Sequence, residues 1–153
     1  EFERRKLNAF YDGGTMYVSP DQDNDDDLYD DLVHETAHSL EQPYGALIYQ
    51  DGKLEQEFLE KRRNLHKILW QVGYKIPENV FLNPEYDEEF DVFLHEKIGY
   101  AKLAPLMRGI FISPYAATSL REYLATGFTE FYLDSNHNFL QKIGFVVLCI
   151  EHL

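Results

Sequence analysis

Five consecutive residues, His34-Glu35-Thr36-Ala37-His38, carry the strongest chemical signal in the chain. On a helix, positions i and i+4 share a face, with Cβ atoms about 5–6 Å apart. His34 and His38 can therefore present two imidazoles to one metal ion. Glu35 projects beside them, where it can serve as general base toward a water at the ion's open position. Chance supplies about 0.02 copies of H-E-x-x-H in a chain of this composition, and the motif still needs its structural context. His95-Glu96-Lys97-Ile98-Gly99 begins the same way but has Gly where the second His belongs. His95 and Glu96 therefore read as ordinary helix residues.

A catalytic zinc needs three protein ligands and one open position. The extended H-E-x-x-H-x-x-G-x-x-H form would supply a third His, but positions 41 and 44 are Glu41 and Tyr44. The other route is a Glu from a second helix. Glu41 lies one turn along the same helix and does not close a tetrahedron. Glu55, Glu57 and Glu60 sit among Lys and Arg, on a face that reads as solvated. Glu78, Glu85, Glu88, Glu89, Glu96, Glu130 and Glu151 have no feature that singles them out. Glu122 is flanked by Leu120, Tyr123, Leu124 and Ala125, a setting in which acids are seldom found unless paired or metal-bound. Ser119-Leu120-Arg121-Glu122 also matches a capping box, with Glu122 bonded to the Ser119 backbone. Spacing alone leaves ligand and cap equally open.

Ser113-Pro114-Tyr115, followed by Arg121-Glu122-Tyr123-Leu124-Ala125-Thr126-Gly127-Phe128, resembles the second motif of the anthrax-lethal-factor-like zinc peptidases. That group includes the Pro-Pro endopeptidases. Its pattern is H-E-x-x-H on one helix, then a Tyr, six residues, and a Glu opening an E-[FY]-x-A helix. The resemblance covers about residues 15–45 and 113–133. It implies zinc ligands His34, His38 and Glu122, with Glu35 as general base and Tyr115 as the phenol that steadies the oxyanion. A positioned donor at a developing negative charge stabilises a transition state, which gives the last role a physical basis. Gly45 fits the family's end to the active-site helix. Three features depart from the family. Eighty-three residues separate His38 from Glu122. Thr126 stands where a second Glu is common, leaving Glu130, Asp30 or Asp31 to bond a ligand from behind. About one strand, residues 14–19, precedes the active-site helix.

The elements that must position these groups are legible from periodicity. Leu28, Leu32, Val33, Ala37 and Leu40 recur at helical spacing, predicting a helix over about 26–41 that Pro43 and Gly45 end. A second helix over 53–72 carries Leu54, Phe58, Leu65, Leu69 and Val72 inward, with Trp70 in the core. Its outer face holds Lys61, Arg62 and Arg63. A third starts after Pro84 with Phe90, Phe93, Leu94 and Ile98. Residues 103–113 are ambiguous. Helices over 119–133 and 138–151 complete the chain. Asp12-Gly13-Gly14 marks a turn before a short strand. The seven Asp between positions 21 and 31 fail the EF-hand pattern and read as a solvated loop leading into a helix N-terminus. His66 and His152 read as surface, and His137 as a helix-start residue. The expected fold is α+β and mostly helical, with a small N-terminal sheet and H-E-x-x-H on its active-site helix. The resemblance makes it zincin-like. Residues 1–153 read as a single peptidase domain. The start at Glu1 and the single preceding strand read as a fragment lacking part of its N-terminal region.

Charge and composition narrow the partners. Fourteen Lys+Arg against 27 Asp+Glu give a formal charge of −13, which repels phosphate and disfavours nucleic acid or an anionic membrane. A basic or neutral peptide fits better. The single Cys149 excludes an intrachain disulfide and a Cys-rich zinc module. No apolar run reaches the roughly 18 residues that span a bilayer. The resemblance implies a secreted zinc endopeptidase holding one catalytic Zn2+. It also implies that the strand at 14–19 pairs with an extended substrate. A catalytically inactive zincin-like interaction domain, and a metallohydrolase acting on something other than a peptide, stay open as alternatives.

Overall fold

The computed structural model describes residues 8–133. The helix expected over 138–151, with His137, Cys149 and His152, lies outside the described residues.

The chain opens with a hairpin. Strand β1 (Ala9–Asp12) pairs antiparallel with β2 (Thr15–Val18), placing Phe10 opposite Tyr17 and Asp12 opposite Thr15. Gly13 and Gly14 link them at φ 55° and 86°, the positive values that a two-residue hairpin loop demands. Two strands therefore precede the first helix, where one was expected. β1 packs against that helix, so β2 forms the outer edge.

Helix α1 (Asp25–Tyr49) starts at Asn24, whose side chain accepts from the Asp27 amide at 2.9 Å. Asp25, Asp26 and Asp27 fill its first turn, where negative charge complements the helix dipole. The helix does not stop at Pro43. It continues eight residues further than expected, through Pro43 and Gly45 to Tyr49. A proline costs an interior helix one hydrogen bond and a steric clash. Two contacts beyond it offset that cost: Ile48 is buried in the core, and the Tyr49 hydroxyl donates to Glu41 across two turns.

Helix α2 (Lys53–Gln71) buries Leu54, Phe58, Leu65 and Leu69 as predicted. It also buries Arg62, which is 1% exposed, correcting its assignment to the outer face. Trp70 and Val72 are exposed, correcting their assignment to the core. His66 is not a bare surface residue either, since its Nε2 donates to the Ile76 carbonyl at 2.8 Å. A 3-10 turn (Glu78–Leu82) then packs Phe81 edge-on against Phe90, with ring centroids 5.1 Å apart.

The third expected helix is a composite. Helix α3 (Glu88–Val92) runs into a π-helical stretch (Phe93–Gly99) and then α4 (Tyr100–Leu106). Phe90, Leu94, Ile98 and Leu103 still face the core. The ambiguous residues beyond contain no strand; Phe111 is buried against Phe58 and Tyr123. A 3-10 turn (Tyr115–Ala117) leads into helix α5 (Leu120–Leu133). The main interhelical packing brings α5 against α1. The fold is thus mostly helical with one small antiparallel sheet, an α+β arrangement. Among the described residues, no helix is long and apolar enough to cross a membrane.

Candidate metal centre

The packing of α5 on α1 brings residues 88 apart in sequence into contact. His34 and His38 sit on successive turns of α1, their rings 5.0 Å apart and edge to face. Across from them stands Glu122, in the first turn of α5. His34 Nε2 donates to Glu122 Oε2 at 2.8 Å, and His38 Nε2 lies 3.4 Å from Glu122 Oε1. One donor atom from each of the three residues falls within 4.8 Å of the others. Ligand atoms around one tetrahedral ion at about 2.0–2.2 Å would stand roughly 3.3–3.6 Å apart. The group fits a single metal ion in donor chemistry and in spacing.

Of the capping box expected around Glu122, only the Ser119 half forms. The Glu122 amide donates to Ser119 Oγ at 3.2 Å, so Ser119 caps α5. Its carboxylate contacts the two histidines instead of completing the reciprocal half of a capping box. Burial alone would raise the Glu122 pKa, but hydrogen bonds with His34 and His38 outweigh it and hold the group down at about 2. Burial lowers His38, and contacts with Glu122 and Glu41 more than reverse this, lifting it to about 9. These shifts favour an ionised Glu122 facing a protonated His38; a metal ion bound by these atoms would compete with that proton.

Behind His38 lies a layer that the spacing argument passed over. Glu41 Oε2 is 3.5 Å from the buried His38 Nδ1. Glu41 is held in turn by Arg121 Nε and Nη2, each at 2.6 Å, and by the Tyr49 hydroxyl. These contacts, against the cost of burial, lower the Glu41 pKa. Glu41, set aside as a ligand, lies outside the His34, His38 and Glu122 group and stands behind the His38 ring. The available signal was its i+3 position after His38, which puts it on the neighbouring turn. Asp31, one turn before His34, is close enough to feel the His34 charge, and burial raises its pKa. Glu130 borders the cleft. The remaining candidates lie elsewhere: Glu55, Glu60, Glu78, Glu85, Glu88, Glu89 and Glu96 are exposed, and Glu57 accepts from the Tyr123 hydroxyl at 2.5 Å.

Glu35 and Tyr115 flank the cluster. The Tyr11 amide of β1 donates to Glu35 Oε2 at 2.7 Å. Burial raises the Glu35 pKa, although His38, the Tyr11 amide and His34 each pull it down. The Tyr115 ring lies 6.1 Å from that of His34 and is 39% exposed. Burial on its inner side, with the Glu122 and Glu35 carboxylates, pushes its phenol above the usual range. Tyr115 therefore stays a neutral donor at physiological pH.

A cleft of about 400 Å³ opens onto His34, Glu35 and Tyr115. Asp30, Asp31, Glu35 and Glu130 line it, and among the described residues no Lys or Arg does. Asn8 and Ala9 form its opposite wall. In the hairpin register, residues 8, 10 and 12 turn their backbone groups to β2, as the Ser19 amide donating to the Asn8 carbonyl shows. Ala9 and Tyr11 turn theirs toward α1. β1 is consequently the strand beside the site, while β2, Thr15–Val18, is the sheet's outer edge, as expected for residues 14–19.

Comparison with protein-family models, curated proteins and solved structures finds no match to this chain.

Proposed function

We propose that the chain is a zinc-dependent endopeptidase, with His34, His38 and Glu122 holding the ion. The observation that carries this reading is the convergence of His34, His38 and Glu122, with Glu35 one residue along α1 and Tyr115 beside His34. When bound, zinc supplies Lewis acidity towards a carbonyl oxygen and acidifies water enough to make it a nucleophile near neutral pH.

The chain's own residues do the rest. Glu35, pinned through Oε2 by the Tyr11 amide, accepts a proton from the attacking water and returns it to the departing amine. Its raised pKa brings its proton affinity closer to what both transfers require. Tyr115 donates to the carbonyl oxygen as negative charge develops there. Glu41 fixes the His38 ring from behind. The carboxylates of Asp30, Asp31 and Glu130 on the cleft wall suit a neutral or basic peptide. The likeness of residues 113–128 to the lethal-factor-like pattern supports the same reading and, with it, secretion.

The test is cleavage of casein and of a peptide library by the zinc-loaded protein and by Glu35→Gln. The expected result is a rate at least about a hundredfold lower in the variant, with zinc content unchanged. Equal cleavage by both proteins would overturn the assignment of Glu35. Zinc binding without cleavage by the wild type would favour the interaction domain or a non-peptide substrate.

A further inference from the structure

Arg62 is 1% exposed, near the middle of α2, and nothing in the proposed chemistry uses it. Its guanidinium stacks 3.9 Å from the Phe90 ring centroid and 5.0 Å from that of Phe58. Nη2 donates to the Thr118 carbonyl at 2.8 Å, Nη1 reaches the Phe81 carbonyl at 3.4 Å, and Nε has no hydrogen-bond partner. Among the described residues no carboxylate is paired with it; Asp87 acts only at a distance, and burial draws the Arg62 pKa down to about 9. A buried cation this poorly compensated is costly to keep. Its strongest contact falls on Thr118, between the two residues that complete the site.

Thr118 is itself fully buried. Its amide and its Oγ1 both donate to the Tyr115 carbonyl, at 3.0 and 2.8 Å. The next residue, Ser119, caps α5 through the Glu122 amide. One residue before Arg62, Lys61 Nζ donates to the Ile110 carbonyl at 2.9 Å. Adjacent cations on α2 therefore grip residues 110–118 at both ends, and Ile112, Ser113 and Tyr115, all on the cleft wall, lie between the grips.

Resting on the metal-site reading above, we infer that Arg62 is a positioning residue, which through the Thr118 carbonyl sets where Tyr115 and Glu122 stand. The helix between His38 and Glu122 is then part of the site's scaffold and no mere insertion. Without the guanidinium, the Thr118 carbonyl is left buried and unpaired, and the segment shifts to find another partner.

The test uses the full chain, two Arg62 variants and one control variant. Arg62→Lys keeps the charge but offers one ammonium where the guanidinium spans two carbonyls; Arg62→Gln removes the charge, and each variant serves as the fallback should the other fold poorly. Leu69→Ala, a core truncation in the same helix, controls for general destabilisation. Amide hydrogen exchange is read on the metal-free proteins, and zinc-ion affinity by titration. The expected result is exchange at residues 117–120 at least about tenfold faster in the Arg62 variants than in Leu69→Ala. Zinc affinity should fall about tenfold in the same variants. Unchanged exchange at 117–120 overturns the inference. Faster exchange with unaltered zinc affinity also overturns it, since Arg62 would then hold the segment without bearing on the site. Failure of the wild type to bind zinc counts against the proposed function, and the exchange comparison alone then decides whether Arg62 sets the segment.

Discussion

His34-Glu35 and His95-Glu96 are the same dipeptide in opposite surroundings. His34-Glu35 lies mid-way along α1, half-buried between β1 and α5. Glu122 faces its imidazole at 2.8 Å and the Tyr11 amide holds its carboxylate. His95-Glu96 lies in the π-helical stretch, and both side chains are exposed. The His95 ring meets Tyr100 edge-on at 5.0 Å, and position i+4 is Gly99 at φ 86°. What sets the two pairs apart thus lies beyond the dipeptide: a second His one turn on, and an acid delivered by another helix. Among the described residues, His34, His38 and Glu122 form the one His/Cys/Asp/Glu group close enough to hold an ion.

That contrast can be sharpened from either side. Glu41→Gln should weaken zinc binding by about tenfold or more, because the group behind His38 loses its charge. His95→Ala should leave the affinity unchanged. Competition against a zinc chelator measures both, and equal effects would erase the distinction between the two regions. A smaller effect is expected from Gly99→His, which completes H-E-x-x-H at 95–99. The backbone there, at φ 86° and ψ 134°, is one that side chains rarely adopt. The variant should lose about 1–3 kcal/mol of stability in a denaturant titration and bind no additional zinc. A second zinc equivalent would break the comparison, because the motif alone would then suffice.

The sequence made the near half of the site legible and only part of the far half. His34, Glu35 and His38 follow from local helical geometry, which needs no knowledge of tertiary contacts. Glu122 was one of two readings until the packing of α5 on α1 showed where its carboxylate goes. Pro43 was read as a stop because local rules do not include Ile48 docking in the core. Arg62 was placed outside on the strength of its charge, although it falls on the stripe Phe58, Arg62, Leu65, Leu69 at spacings of four, three and four. There the periodicity was the better guide than the residue type. Trp70 shows the reverse: its size suggested the core, but it lies off that stripe and is exposed. β1 escaped notice because four residues are too few to show alternation. The composite of α3, the π-helical stretch and α4 kept its predicted inward residues while changing its hydrogen-bond register, which side-chain spacing does not report.

Elemental analysis of zinc per chain, on the wild type and on Glu122→Ala, tests the central claim most directly. Circular dichroism of both proteins checks that the helices persist. One zinc in the wild type, with loss or at least about a hundredfold weakening in the folded variant, is the predicted result, since removing a direct ligand should cost no less than the tenfold to hundredfold seen for outer-layer partners. Unchanged zinc in Glu122→Ala would contradict the account, because the ion would then sit on a different set of ligands.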